Sequence, residues 1–281
     1  MPTFRHVSKY EPLKEIPDDT TELICEFNGL EKLPALPETL TELDCAHNLL
    51  KELPSLPHLE KLVCDVNHLT TLPKLPESLN ILKCSDNRLH KLPKLPHNLK
   101  RLQCSSNPLG SLPVLPDSLR ELSCVGCGLT ELPKLPDTLL TLTCNHNNLR
   151  TLPLLPESLK TIHTHNNPWE EPFLSYINKS QRDTQKLKKL LKEHYALEAM
   201  VRNMTAHNLT VGANKPNNPL PKDVTNHIRS FLMSPGGTTG RGIGRTRSQQ
   251  RQVLKSAFAA LKKGGGTRKA LSKQGRRTRR N

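Results

Sequence analysis

Leucine recurs along the first 168 residues at fixed positions within a period of about twenty. Each period reads L-x-x-L-x-C-x-x-N-x-L-x-x-L-P-x-L-P-x-x, and residues 79–98 show it in full. The cysteines that mark it are Cys25, Cys45, Cys64, Cys84, Cys104, Cys124 and Cys144. A period near twenty residues is typical of a solenoid, in which every repeat is one coil stacked on its neighbours. We therefore predict a solenoid of about eight coils over residues 1–168.

The spacing within one period predicts a place for each residue of the coil. Leu43 and Cys45 are two residues apart, so both side chains point to the same side of a short strand, into the core. Asn48 lies in the turn that leaves the strand, where its amide supplies donors and an acceptor to backbone groups that burial would leave unpaired. Pro54 and Pro57 lack an N–H and have a fixed φ, so the return segment is predicted to be extended. Stacked coils then form a parallel sheet on the concave side.

Cysteine replaces asparagine at one turn position, which creates a C-x-x-C sequence from Cys124 to Cys127. A zinc site would need a second ligand pair, and a redox site would need a surrounding βαβ unit. Neither pattern accompanies this pair, so we interpret Cys127 as a residue that fills the asparagine position. Thr164 replaces the cysteine in the last period.

The segment L-x-x-L-x-C-x-x-N-x-L from Leu40 to Leu50 resembles the leucine-rich repeat, with cysteine in place of an aliphatic residue. The version with two prolines resembles the short repeats of bacterial effector proteins, including ubiquitin ligases of the invasion plasmid antigen type. The cysteine-bearing repeats also resemble those of giant DNA virus proteins. The resemblance implies an α+β repeat solenoid, namely an arc with a parallel concave β-sheet, an extended convex side, C-terminal helices and a disordered basic tail. The sequence before Trp169 resembles the end of such arrays, where an aromatic side chain closes the core.

The effector ligases that these repeats resemble carry a large C-terminal domain with a catalytic cysteine. This chain has no cysteine after Cys144 and about 110 residues after the repeats, so the resemblance does not extend to that domain. We expect no enzyme, no cofactor and no metal site. A solenoid is usually a binding surface, and the expected function is a non-enzymatic protein–protein interaction module with a protein client whose identity the sequence leaves open.

Leucine-rich repeats usually bind on the concave face, whose outward positions flank the inward leucine and cysteine of each strand. These positions are acidic in the early coils, basic in the middle coils, and neutral with histidine in the late coils. The predicted binding residues are Glu22, Glu26, Glu42, Asp44, Asp65, Lys83, Arg101, Ser123, Thr143, Asn145, His163 and His165. His163 and His165 share one face of a strand without an obvious carboxylate or thiolate nearby, so we interpret them as solvated rather than metal-binding. Charge reversal at Asp44 and Asp65 is expected to slow client binding and to leave the fold intact.

Residues 169–210 are predicted to be a helical cap, with one helix from Phe173 to Met204 that packs on the last coil. A dimerisation helix is the alternative, and the sequence leaves the oligomeric state open. Residues 211–236 combine a linker with a short Leu-Pro helix, whose apolar face runs from Val224 to Leu232. This helix resembles the opening of an F-box, so an F-box-like adaptor that recruits clients to a host ubiquitin ligase is the alternative function; a docking or packing helix is the simpler interpretation.

Almost the whole net charge of +15 lies in the last 41 residues. They hold 14 Lys or Arg and no Asp or Glu, and removing them leaves 41 − 14 = 27 basic against 26 acidic residues. Residues 237–281 are therefore predicted to be a basic, mostly disordered tail. The residues expected to bind a polyanion or to form a nuclear signal are Arg241, Arg245, Arg247, Lys262, Lys263, Arg268, Lys269, Arg276, Arg277, Arg279 and Arg280.

This tail has three candidate partners. Nucleic acid would bind through its phosphates, an import receptor would recognise a bipartite nuclear signal, and an anionic membrane would bind a basic amphipathic helix. A solvated tail without a partner is the remaining interpretation.

The sequence also bears on location. No stretch approaches the roughly 18 apolar residues of a transmembrane helix, and the first six residues lack the apolar core of a signal peptide. Inward cysteines serve as small apolar fillers, and reduced thiols suit an intracellular protein. We therefore expect the cytoplasm or nucleus, including those of a host cell, or a virion, rather than secretion.

Overall fold

The computed structural model describes residues 2–6, 12–181 and 183–211. The chain divides into two compact units, Met1–Asn203 and Met204–Asn281. The first unit contains the whole repeat array, and within the second the structure describes only residues 204–211, which are helical.

Nine parallel strands form a single sheet in which the order in space follows the order in the sequence. Each strand has three residues. The strands are β1 (Thr3–Arg5), β2 (Glu22–Ile24), β3 (Glu42–Asp44), β4 (Lys61–Val63), β5 (Ile81–Lys83), β6 (Arg101–Gln103), β7 (Glu121–Ser123), β8 (Thr141–Thr143) and β9 (Thr161–His163). Their central residues lie in register, so that Leu43 pairs with Leu23 on one side and with Leu62 on the other. This register stacks the leucines of successive coils into one apolar column and confirms the predicted solenoid.

Strand β1 precedes the repeats, and the repeat pattern does not predict it. Phe4 takes the place of the strand leucine and packs, partly buried, against the core. The N–H groups of Thr21 and Glu22 both donate to Pro2 O, at 2.9 and 3.3 Å. The sheet therefore has nine strands rather than the eight expected, because a segment without the repeat motif covers the first coil.

Leucine and cysteine fill the inward positions. Leu43, Cys45 and Cys84 have no exposed surface, and all eight cysteines are buried and free, as the sequence predicts. Burial raises the pKa of Cys25 and Cys144 to about 12, because a thiolate in the core would lose its hydration. The Leu-Pro-x-Leu-Pro segments on the other side of each coil form neither helix nor strand, which agrees with the extended convex side.

The asparagines of successive coils form a ladder of side-chain hydrogen bonds. Nδ2 of Asn48 donates to Cys25 O at 2.8 Å and to Cys45 O at 3.0 Å. Its Oδ1 accepts the N–H of Asn28 at 3.1 Å and that of Leu30 at 2.9 Å. One amide thus satisfies four backbone groups that burial would otherwise leave unpaired.

Cys127 occupies one rung of this ladder, as predicted. Its thiol donates to Cys104 O at 3.2 Å, where asparagine would use Nδ2. It offers no amide oxygen to Leu109, whose N–H instead donates to Asn107 O at 2.8 Å. Pro108 lies between the two, and its fixed φ favours such a tight turn.

The array ends with the same turn. Asn167 forms the last rung, with Nδ2 3.0 Å from Cys144 O. In the described part of the chain no further coil follows this rung, and the N–H of Trp169 donates to Asn167 O at 2.9 Å. The indole Nε1 of Trp169 donates to Thr164 O at 3.2 Å, and the ring is buried in the core. An aromatic side chain therefore closes the array, as the resemblance implies.

A second ladder, made of hydroxyl groups, runs along the opposite turn of the coils. Oγ1 of Thr138 lies 2.6 Å from Asp117 O and 2.8 Å from Leu119 O. Equivalent hydroxyls belong to Thr39, Ser78, Ser118 and Ser158. This ladder was not predicted from the sequence, where its signal is a Ser or Thr directly before the leucine that opens most coils; Asn98 takes that place before Leu99, and its Nδ2 donates to Glu77 O at 3.1 Å. In the coil that is one residue short, His58 directly precedes Leu59 and the hydroxyl is missing.

Two helices follow the array within residues 172–211, so the prediction of a single helix from Phe173 to Met204 is wrong. Gln181 has a left-handed backbone, with φ 52° and ψ 40°, which ends the first helix. Oδ1 of Asp183 then accepts the N–H groups of Gln185 at 2.9 Å and Lys186 at 3.1 Å, which starts the second. The helices are α1 (Phe173–Ser180) and α2 (Thr184–Val211).

Helix α2 packs against the last coil, where a cap is expected. Leu187 and Leu191 are buried in the core of the array. The buried ammonium of Lys188 donates to Glu157 O at 2.7 Å and to Leu159 O at 3.1 Å. These are the carbonyls that the hydroxyl of a further coil would contact, so Lys188 completes the hydroxyl ladder.

Candidate protein-binding face

The outer face of the sheet carries three rows of side chains that run along the array. The first row precedes the strand leucine, the second follows it, and the third follows the cysteine. They alternate with buried positions because successive side chains of a strand point to opposite faces. Every binding residue predicted in the array belongs to one of these rows.

The first coils form a depression of about 150 Å³ on this face. Its charged lining consists of Arg5, Glu22, Glu26, Glu42, Asp44 and Lys61. Four carboxylates therefore stand against two cations. Asp65 lies close enough for Asp44 to contribute to raising its pKa. The early coils are acidic, as the sequence predicts.

Asp44 and Asp65 also accept hydrogen bonds from backbone N–H groups. Oδ1 of Asp44 accepts the N–H of Ala46 at 3.2 Å, and Oδ1 of Asp65 accepts the N–H of Ser85 at 2.6 Å. Burial is the main cause that raises the pKa of Asp65, against the lowering effect of the Ser85 hydrogen bond. Lysine at either position would remove a backbone acceptor, so charge reversal would change local contacts as well as charge, and the expectation that it leaves the fold intact stays a prediction. Asparagine would keep the acceptor and remove the charge.

Two ion pairs cross the face, and the sequence analysis missed one partner of each. Nζ of Lys61 lies 2.9 Å from Oε2 of Glu42. Arg101 binds Glu121 through two hydrogen bonds of 2.6 and 2.9 Å. Both pairs join residues in register on neighbouring strands. Opposite charges at the first-row position of two neighbouring coils would therefore have predicted these ion pairs. The middle coils are less basic than predicted, since Glu121 neutralises Arg101 and leaves Lys83 as the cation without an opposing carboxylate in register.

The late coils present histidine and hydroxyl groups. His163 and His165 are exposed, and the ring of His165 meets that of His146 edge-on, with centroids 5.5 Å apart. Asn145 differs from the prediction, because it is buried and its Oδ1 accepts the N–H of His165 at 3.0 Å. It supports the turn rather than the binding surface. Within the described residues, no group of three or more His, Cys, Asp or Glu is arranged to hold a metal ion.

Two predicted elements lie outside the described residues, namely the Leu-Pro helix over 220–232 and the basic residues from 241 to 281. Both stay predictions from the sequence. Among the helices that the structure describes, none is long and apolar enough to cross a membrane.

Stacked coils, an asparagine ladder and a parallel concave sheet together define a solenoid of leucine-rich repeats. YopM, a leucine-rich effector protein from Yersinia pestis, is 42% identical, with a TM-score of 0.55 over 57% of this chain and 46% of its own. The leucine-rich repeat domain of a Shigella effector is 32% identical, with a TM-score of 0.53 over 59% of this chain and 78% of its own. The chain therefore belongs to the leucine-rich repeat family, with short repeats of the bacterial effector type.

The chain covers less than half of the length of YopM. No protein-family profile and no curated protein sequence matches it. Its fold is that of a protein-interaction module, since stacked repeats offer an extended concave surface for binding. The resemblance to bacterial effector repeats is confirmed, and the resemblance to giant DNA virus proteins stays a prediction.

Proposed function

We propose that this protein is a non-enzymatic interaction module that binds a protein client on the concave face of its array. The observation that supports the proposal is the set of three rows of mostly accessible side chains on a sheet whose turns are held by ladders of hydrogen bonds. A surface that is already ordered loses little conformational freedom on binding, which favours association.

The charges of the face restrict which client fits. An acidic depression occupies the early coils, Lys83 stands in the middle, and neutral side chains follow. Complementary charge across an interface governs partner choice and association rate more than affinity. The client is therefore expected to present a basic region to the early coils.

Asparagine substitution tests this proposal without removing the backbone acceptors. The full-length Asp44→Asn/Asp65→Asn variant loses two charges of the face, and the Lys74→Gln/Lys94→Gln variant loses two exposed charges of the convex side. A client isolated by affinity capture should associate with the concave variant several-fold more slowly at low salt, as measured by surface plasmon resonance. The convex variant should match the unmodified protein. Slower association with the convex variant alone would mean that the client binds the back of the array.

The basic tail supports a second role in the same chain, namely polyanion binding or nuclear targeting. The tail carries 14 Lys or Arg and no carboxylate side chain. Buried, reduced thiols accord with a location in the cytoplasm or nucleus.

An F-box-like adaptor is the alternative function. Affinity capture from eukaryotic extract, with the full chain and with a form that lacks residues 220–232, distinguishes an adaptor from an interaction module without a ligase. Only an adaptor would capture a ligase scaffold and lose it together with that segment.

A further inference from the structure

An exposed apolar row occupies the same early coils as the acidic depression. Phe27, His47 and Val66 occupy the same position of successive coils, two residues after the cysteine. Phe27 is 58% exposed and Val66 is 38% exposed. The ring of Phe27 stacks on that of His47, with centroids 4.1 Å apart. Leu49, which is 41% exposed, adds a further apolar side chain in these coils. Exposed apolar groups that cluster are typical of interaction sites, whereas single ones are ordinary.

The backbone of this row makes its apolar side chains unfavourable for folding alone. The φ angles are 59° at Phe27, 55° at His47 and 54° at Val66. The left-handed region disfavours bulky and β-branched side chains. The later coils place polar residues or glycine at the same position, namely Asp86, Ser106, Gly126, His146 and Asn166. Phe27 and Val66 therefore adopt a strained conformation without the burial that would offset it, and such strain is common at functional sites.

The apolar row and the excess of acid coincide in the first three coils. Glu26 directly precedes Phe27, and Asp65 directly precedes Val66. The carboxylates there are Glu22, Glu26, Glu42, Asp44 and Asp65, and the cations are Arg5 and Lys61, so the net charge is 2 − 5 = −3. A ligand for this surface has to carry both positive charge and apolar area.

We infer that the first three coils dock a basic amphipathic peptide segment, in which lysine or arginine lies beside an aromatic or large aliphatic side chain. Its apolar side chain packs against Phe27 and Val66. Its cations face the carboxylates of the depression, and an arginine gains a further attraction from the face of Phe27. The inference rests on the proposed function for the client being a protein, and it adds the position on the array and the chemistry of the docked segment.

A fluorescein-labelled peptide of alternating lysine, serine and phenylalanine is the probe, measured by fluorescence anisotropy on the full chain. Saturable binding that weakens with salt is expected. The Phe27→Ser/Val66→Asn variant removes both apolar contacts of the peptide and should bind at least about tenfold more weakly. Asparagine tolerates a left-handed backbone, so Val66→Asn should not lower the unfolding midpoint. The midpoint of the double variant should therefore fall no further than that of Phe27→Ser alone. His146→Asn, at the same position of a late coil, is the matched control and should leave binding unchanged.

Two control peptides separate the charge from the apolar contribution. Glutamate in place of lysine should abolish binding, and alanine in place of phenylalanine should weaken it to the level of the Phe27→Ser/Val66→Asn variant. Equal affinity of the lysine and glutamate peptides, equal affinity of that variant and the unmodified chain, or no saturable binding overturns the inference. If the peptide result overturns the inference but client association still depends on Asp44 and Asp65, the proposed function stands without the inference. If client association is the same for every concave variant and the unmodified protein, the proposed function is wrong, independently of the peptide result.

Discussion

The cysteine of each coil is a neutral thiol packed among leucines, and this environment controls its chemistry. Sγ of Cys45 lies 3.5 Å from Val63 O, so even this weak donor has a backbone acceptor. Burial raises the pKa of Cys25 and of Cys144 to about 12 from an ordinary value of 9.0. The folded chain therefore holds thiol protons that the unfolded chain releases above pH 9.

The stability of the array should fall in alkaline solution. Because the folded pKa is raised, the stabilisation is complete below pH 9.0 and is lost as pH rises from there towards 12. Each such thiol contributes a loss of at most about 1.4 kcal/mol per pH unit in that window. Urea unfolding between pH 8 and 11 measures the free energy of unfolding directly.

The Cys144→Ala variant is the matched control for this prediction. It should begin with a lower free energy of unfolding, because a buried side chain is shortened. Its dependence on pH should be less steep by up to about 1.4 kcal/mol per unit. An unchanged slope would show that the Cys144 thiol does not contribute to the alkaline loss.

Elements that are not repeats complete both ends of the array. Pro2 O, directly before β1, accepts the N–H groups of Thr21 and Glu22 at the start of β2. At the other end, α2 inserts Leu187 and Leu191 into the core and brings Lys188 to two carbonyls. Stacked repeats need such ends, since a terminal coil otherwise exposes its apolar face and unpaired backbone groups.

Substitution of Lys188 tests the cap at its polar contact. Lys188→Met keeps the length of the side chain but leaves Glu157 O and Leu159 O without their donor. The free energy of unfolding should fall by about 1–3 kcal/mol, the range for a buried acceptor that loses its partner. Lys189→Met changes the neighbouring exposed lysine and should have little effect. Similar losses in both variants would contradict the assigned role of Lys188.

Charge is divided unevenly along the whole molecule. The body is close to neutral, with 27 basic and 26 acidic residues, and the last 41 residues hold the remaining 14 cations. A neutral body that carries a local acidic depression is suited to one partner, and a uniformly basic segment is suited to another. This division of charge accords with the proposed function, in which the array binds a protein client and the tail binds a polyanion.

Residues 241–281 are expected to bind DNA and RNA alike, through phosphates. If about eight phosphates are neutralised, the logarithm of the binding constant falls with a slope of roughly −7 against the logarithm of salt concentration for duplex DNA. A form of the protein that ends at Gly237 should not bind, as measured by filter binding or anisotropy. Binding that is insensitive to salt or strongly selective for sequence would contradict this prediction.

The repeat period by itself determined the interior of the array. Inward leucine and cysteine, the extended proline segments and the Asn48 rung all follow from spacing within one coil, because the coil repeats one local rule and its core consists of the same positions stacked. The place of Cys127 also follows from the period, because its position in the repeat is that of the ladder asparagine. The period does not predict the inward position of Phe4, because β1 lacks the repeat motif.

Only the tertiary structure decided which side chains meet between coils. Glu42 meets Lys61, Lys188 meets the last coil, and Asn145 turns inward, although these partners are distant in sequence. The strained, exposed Phe27 is likewise visible only once the backbone is known. The physical reason is that burial pattern is set within a coil, whereas ion pairs, backbone acceptors and caps depend on the register between coils and on the segments that close the ends.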